Sequence, residues 1–549
     1  MNHPDILEIL PLALYAETHF RFFRGFPSFL YSKEPEIIFD MPRRLEPNRD
    51  LPLILIVNDF HLFPIQPVKV SVSISAKNAP PYLLEIGKPD PYEVDHPLKE
   101  QCKTWCITIS RKHLPQGEVQ INARLDYRKI RKGTVSKRVF TVLNDNLRTT
   151  SKLPYRCFIS DTHLPGKPFC TYGDLHCHSQ FSRSHVEFGP PVQIIDSVAA
   201  SCGTDFVAIT DHSYDLVCDK DNYLKQDQGL SMWKCYRDTL SLKKFSAIMI
   251  PGEEISCLNS RGEVVHLNAL SIEEFIPGTK DGARSNRFFD KQLTINQAVK
   301  EIHKQGGYSF AAHPGANCSA LQRLLLHRGT WNLDDLKSGV EGVQALNSGF
   351  FGSWQRGKNL WIKMLQRGYR MPILAGNDAH GDFNRYRCTG KPFLKVYEDP
   401  QRYMGYALTG IYGTCHNSSE VINALRMGKT FVTNGPFATL SRSLSIEDSL
   451  ISSTPLPKPP QTIYALALST QEIGPIQHIR VICGTLGGEE ETVILEKRYP
   501  AKSYDIQEII PKDRLPQNCY LRLETEGTKE NGLPLKAATS ACYLGNYKG

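Results

Sequence analysis

From residue 171 to residue 376 the chain repeats one phrase seven times: a short apolar run, most often closed by a side chain able to hold a proton or a cation. The runs are Thr171–Leu175, Phe206–Thr210, Ala247–Ile250, Val264–Leu270, Tyr308–Ala312, Val343–Asn347 and Pro372–Gly376. Helical segments such as Val192–Cys202, Thr294–Gln305 and Lys358–Arg367 occupy most of the gaps. Strands joined through helix-length connections predict parallel pairing, because a parallel neighbour is reached only by a long crossover. Seven of them predict an α/β fold, a distorted TIM-like barrel one strand short of eight.

A parallel barrel places its chemistry at the C-terminal ends of its strands. Those ends carry His176 and His178, Asp211-His212, Glu253-Glu254, His313-Pro314 and Asp378-Ala-His380; the fourth run contains His266 and the sixth offers only Asn347. Of the nine His from His176 to His380, six belong to this set, and His185 follows in the loop after the first run. His303 and His327 fall on helical segments and read as solvated surface. In an extended strand His176 and His178 point to one side and Cys177 to the other, where it reads as packing. One such His is readily a hydrogen-bonded core residue. Six of them, with carboxylates on the same rim, would bury several titratable groups uncompensated unless a cation is present. The pattern therefore points to a multinuclear metal site.

The flanks have a different rhythm. Residues 1–150 contain short β-rich runs such as Leu51–Val57, Val68–Ile74 and Val119–Leu125, and residues 416–549 contain a helix followed by more of the same. Both predict β-sandwich-like domains around a barrel at 171–415, with a Pro-containing linker at 151–170. A net charge of +8 over 549 residues suits anionic substrates but is too diffuse for a dedicated nucleic-acid binder. The densest basic run, Arg128–Lys137, reads as a solvated hairpin. The 15 Cys are odd in number and lack CxxC pairs, so reduced thiols are expected rather than disulfides or a zinc ribbon. Neither a secretion signal nor an apolar run long enough for a membrane is visible, which predicts a cytoplasmic protein.

The ordered motifs carry a resemblance. Asp174-Leu-His-Cys-His-Ser179, Ile209-Thr-Asp-His212, Pro251-Gly-Glu-Glu-Ile-Ser256, the lone His266, Ala312-His-Pro314 and Gly376-Asn-Asp-Ala-His380 resemble the polymerase and histidinol phosphatase (PHP) family of metal-dependent phosphoesterases, over residues 173 to 388. Gly376–Arg385 and Ala424–Pro436 resemble more narrowly its carbaryl-hydrolase-like CehA/McbA branch, in which β domains commonly surround the barrel. The resemblance implies the PHP fold with two or three divalent ions (Zn, Mn or Fe). His176, His178, Glu254 and Asp378 would hold the first. Glu254, bridging, with His266 and His313 would hold the second. His212 and His380 would hold a third, with His185 as the candidate for its remaining ligand. Asp211 is expected to orient a ligand His and Glu253, facing the other side, to be structural. Amidohydrolases also begin with HxH, but many bridge their metals through a modified Lys at strand four, where this chain has His266.

The function implied is a metal-dependent hydrolase. A phosphoesterase using a metal-bridging hydroxide is the first expectation, acting on a small or nucleotide-like phosphoester. Arg183 and Arg385, in loops over the rim, are the expected phosphate-binding forks, and Glu254 and Asp378 the central carboxylates. Carboxyl-ester or carbamate hydrolysis is the alternative, since the same hydroxide attacks a carbonyl. A non-catalytic metal-binding module flanked by interaction domains is the third.

Overall fold

The computed structural model describes residues 34–545, apart from 90–101, 147–152, 183–188, 221–225, 280–292, 385–387, 398–402 and scattered shorter gaps. Its N-terminal part is two sheets sharing one core. The three-stranded sheet contains Glu36–Asp40, Leu51–Asn58 and Cys102–Ile109; Gly117–Arg131 and Ile65–Ala76 dominate the seven-stranded one. The run Leu51–Val57 is apolar without alternation because both its faces are covered. Leu53, Leu55 and Val57 pack against Val70, Val72 and Ile121 of the facing sheet. Ile54 and Ile56 turn outward into the core of the central region, which also contains Ile195 and Val198. The basic run forms a tight hairpin, Ile130 opposite Val135, with Lys132 and Gly133 at positive φ.

The central strands are β1 (Cys170–Cys177), β2 (Phe206–Ile209), β3 (Ile248–Leu258), β4 (Val264–Leu270), β5 (Tyr308–Ala311), β6 (Gly342–Asn347) and β7 (Ile373–Gly376). Helices α1 (Val192–Cys202), α2 (Ser231–Leu242), α3 (Ile295–Lys304) and α4 (Gly352–Gln366) lie between them. α3 starts with a reciprocal capping box between Thr294 and Gln297. α1 stops at Gly203, whose φ of 88° suits a residue without Cβ. Among the described residues, no helix is long and apolar enough to cross a membrane.

The expected TIM-like barrel of parallel strands, standing between separate sandwiches, is not what the chain forms. Strand dominates, and β1–β7 belong to one curled, mixed sheet of 15 strands. β1–β2–β3 and β5–β6–β7 pair in parallel, but β4 runs antiparallel to both β3 and β5. The reason is local. Only Asn259–Glu263 separates β3 from β4, too short for a crossover, and Asn259 Oδ1 accepts from the backbone N–H of Arg261 and Glu263 to close a turn. The sheet also fails to end at β1. It continues through β8 (Leu408–Tyr412) and β9 (Thr430–Thr433) into the C-terminal strands β10 (Ile476–Gly484), β11 (Cys519–Thr528) and β12 (Pro534–Thr539), in the order β1-β8-β9-β12-β11-β10.

The curl brings β7 back to β1 and β8 without a full ladder between them. Asn377 donates to Asp174 Oδ2 (2.6 Å) and to the Ala407 carbonyl (2.9 Å), and Thr409 Oγ1 bonds both the N–H and the C=O of Ala375 (2.8 and 2.9 Å). Leu175, Phe206, Ala208, Ile250, Leu270, Phe310 and Leu374 fill the inside of the curl. Val207, Ile209, Ile255 and Val343 face outward to the helices, so these strands are buried on both sides.

Candidate metal centre

Reversal of β4 has a direct consequence for the site. His266 lies near the start of its strand, and in an antiparallel strand that end sits at the same mouth as the C-terminal ends of β1, β2 and β3. Glu254 and His266 lie one step diagonally across the β3–β4 pair, on the same face, and His266 Nδ1 hydrogen-bonds Glu254 Oε1. Around Glu254 the curl gathers the other strand ends. His212 Nδ1 lies 2.8 Å from Glu254 Oε2, His313 Nε2 3.1 Å from Oε1, and His176 Nε2 and His178 Nε2 each 3.5 Å from the carboxylate. Asp378 Oδ1 is 3.1 Å from His178 Nε2 and 3.5 Å from His176 Nε2. His380 stacks on His178 with ring centroids 3.9 Å apart.

Among the described residues, three sets of potential ligand atoms lie within 4.8 Å of one another: His176, His178, Glu254 and Asp378; His212, Glu254 and His266; and His178, His212 and His380. The first is the set expected for a first ion. In the second, His212 takes the place expected of His313, which still meets Glu254 from the other side. In the third, His178 joins His212 and His380. His185, Arg183 and Arg385 lie outside the described residues. His303 is on α3, paired with Glu341 at 3.0 Å, away from the cluster; His327 is not helical but sits at a positive φ of 51°, its carbonyl accepting from Val264 N–H.

These residues fit divalent cations. His176 Nε2, His212 Nδ1 and Glu254 Oε2 are buried with no hydrogen bond of acceptable geometry, although they crowd one another. Atoms that approach closely yet aim their lone pairs at common points, not at each other, are arranged for a positive charge. Hydrogen bonds at the far ring nitrogens fix the tautomers. His176 Nδ1 donates to Gln344 Oε1 (3.0 Å), leaving Nε2 to face inward. His178 Nδ1 meets Ser182 Oγ (2.9 Å), which donates to Asp211 Oδ1 (2.7 Å); Ser179 Oγ donates to Asp211 Oδ2 (2.6 Å). Asp211 thus acts on His178 through a serine. Cys177 turns away into the helix-side core, so the donors are nitrogen and oxygen alone.

The electrostatics have mixed signs. Burial opposes ionisation of Glu254 and Asp378, but the surrounding His residues outweigh it and hold both carboxyls well below the usual range. Burial lowers His178 strongly, helped by His380 and His212, and lowers His313. His176 goes the other way: burial disfavours its charge, yet Glu254 and Asp378 raise it to about 9. A cation taking Nε2 of His176 therefore displaces a proton. Glu253 faces outward, accepts from Ile276 N–H (2.9 Å), and is pushed well up by burial.

Backbone geometry supports the cluster. His313 (φ 31°) and Asp378 (φ 52°) occupy the left-handed region, which costs a non-glycine residue about 1–3 kcal/mol and persists where the surroundings impose it. A Cβ on Gly376 would lie 2.6 Å from His176 Cβ, so only glycine lets β7 approach β1 this closely. The residues that reading the sequence missed are Gln344, Ser182, Asn377 and Arg328. Gln344 had a signal, an amide in mid-strand between Val343 and Ala345. Arg328, whose Nη1 contacts His266 Nε2, had none.

No protein-family model matches the chain, and no curated protein matches it. Among solved structures, a putative beta-galactosidase from Bacteroides fragilis shares 11% identity, covering 93% of this chain and 74% of its own, with a TM-score of 0.16. A Parabacteroides merdae beta-glucuronidase is similar at 11% identity over 94% of this chain and 64% of its own, also with a TM-score of 0.16. Likeness at that level bears on neither fold nor function.

Proposed function

We propose that the protein is a metal-dependent hydrolase of ester bonds, with phosphoesters as the favoured substrates. The observation that carries this reading is the convergence of His176, His178, His212, Glu254, His266, His313, Asp378 and His380 on one mouth of the sheet, with Glu254 at the centre. His176, His178, Glu254 and Asp378 would hold one cation and His212, Glu254 and His266 another, with Zn, Mn or Fe suited to the mixed donors. Bound there, cations would supply an activated water and offset charge on the ester oxygens. The chain's own part is positional. Glu254 is shared between sites, Gln344 and the Ser182–Asp211 pair aim the imidazoles, and the charge balance keeps His178 neutral and both carboxylates ionised. The motif resemblance and the net charge of +8 favour a phosphoester over a carboxyl ester or carbamate.

The test is metal analysis by mass spectrometry on chelator-free protein, with parallel turnover of p-nitrophenyl phosphate and p-nitrophenyl acetate. Bound metal and phosphate release that His176→Ala abolishes are the expected result. Turnover of the acetate alone would transfer the assignment to carboxyl esters, and bound metal without turnover would make the site structural.

A further inference from the structure

Asn268 stands where the His and carboxylate cluster meets the apolar filling of the curl. It pairs directly with Glu254 across the β3–β4 ladder, and residues paired in this way project to one face, about 4.5–5.5 Å apart at Cβ. Along β4 the same face carries His266 on one side of it and Leu270 on the other. Its partner on β5 is Phe310, which belongs with Leu270 and Ile250 to the inner core. Asn268 is fully buried, yet neither its Nδ2 nor its Oδ1 has a hydrogen bond. An amide buried in that state costs stability, a penalty that an apolar side chain in its place would not carry. Gln344 and Asn377, by contrast, are engaged. Gln344 Oε1 accepts from His176 Nδ1 and from His313 N–H (3.0 and 3.2 Å) and its Nε2 donates to Asn347 Oδ1 (3.2 Å), while Asn377 bonds Asp174 and Ala407.

We infer that Asn268 is a positioning residue for Glu254 in the metal-loaded protein, its Nδ2 donating to the carboxylate; this rests on the metal-centre reading above. In the metal-free protein Glu254 Oε1 is hydrogen-bonded by His266 Nδ1 and His313 Nε2. A ring nitrogen that turns to a cation gives up such a bond. A ligating carboxylate is in turn held by a hydrogen bond from a group that is not itself a ligand. Asn268 lies directly across the ladder from Glu254, is no ligand, and has a donor to spare. The amide is idle without metal and engaged with it, so removing it should weaken metal binding without weakening the metal-free fold.

The test compares full-length wild type with Asn268→Val and Asn268→Thr, two side chains of one shape of which only the second can donate a hydrogen bond. Zn²⁺ affinity is measured by competition with a chromophoric chelator, and melting temperature is measured on the chelated, metal-free proteins. Asn268→Val should bind Zn²⁺ about 10- to 100-fold more weakly than wild type. Its metal-free melting temperature should stay level with wild type or rise, because an unpaired buried amide is gone. Asn268→Thr should recover part of the affinity. Asn268→Val with wild-type affinity would overturn the inference, as would a clear fall in its metal-free melting temperature, which would make the amide part of the fold. If Asn268→Val does not fold, Asn268→Thr decides by the same two measurements, with a partial loss of affinity expected and no loss overturning. Failure of the metal-centre reading looks different: wild type itself would then bind no Zn²⁺, and the inference would fall with it.

Discussion

Two clusters of buried charge among the described residues are built on opposite plans. At the mouth of the curled sheet, buried His176, His212 and Glu254 each keep an atom without an acceptable hydrogen bond. Where the C-terminal strands meet α4, charge is matched pair by pair. Arg522 bonds Glu524 and holds Glu491 through Nε (2.8 Å) and Nη2 (2.5 Å); Lys358 Nζ donates to Glu524 Oε1 (2.9 Å) and Arg480 Nη2 to Glu524 Oε2 (3.0 Å). Arg522, Glu524 and Lys358 are 3%, 5% and 8% exposed, as deeply buried as much of the metal-centre cluster. Burial alone therefore does not distinguish the cluster from a strut, and neither does a single unpartnered atom, since Arg480 Nε in the strut is one too. Convergence does: the unpartnered atoms of the cluster crowd around one carboxylate, as ligands of a cation would, whereas the strut pairs opposite charges.

Three substitutions or conditions put that contrast at risk. The largest effect belongs to the strut. Glu524→Gln leaves Arg522 and Lys358 buried with less than their due charge and should cost about 3–5 kcal/mol, read by chemical denaturation, with bound metal unaltered. A small stability loss, or a loss of metal, would dissolve the distinction between the two regions. Next comes Gln344→Ala, which frees the His176 ring. It should lower metal affinity or turnover about 10- to 100-fold while the melting temperature of the chelated protein barely moves. The smallest effect is on the acid limb. Burial opposes ionisation of Glu524, but Arg522 and Lys358 prevail and depress its pKa below the unfolded value. Its stabilisation is thus full above the unfolded carboxylate range and is lost as pH falls toward the folded value. Below about pH 5 the stability of Glu524→Gln should fall less steeply than that of wild type.

Much of the site was legible because strand ends announce themselves. An apolar run stopped by His or Asp marks where side chains leave the core, and the seven runs coincide with β1 to β7. Strand direction was the weak point. Helix-length gaps suggested parallel pairing throughout, and the gap after Ile250 looked long enough because nothing showed that β3 runs on to Leu258, which leaves only the Asn259–Glu263 turn before β4. The error did not displace His266, because a reversed strand carries its first residues to the mouth where its neighbours carry their last. Continuation of the sheet from β1 to β8 was hidden for another reason: Cys170 pairs with Tyr412, and partners so far apart leave no local pattern. The orienting groups were hardest to find. Gln344, Ser182 and Asn377 act through hydrogen bonds whose partners only the fold brings near, and Arg328 arrives on a segment outside every run.

The shared ladder from β1 through β8 and β9 to β12 has a consequence for anyone wishing to isolate the half of the chain that carries the His and carboxylate cluster. Cutting after residue 415 would strip β9 from β8 and leave a raw strand edge beside β1, on which His176 is carried. Such a fragment would be prone to self-association before it could be assayed. The C-terminal strands are thus a seam in the fabric that holds the cluster's mouth, and an excised piece is a poor surrogate for the whole.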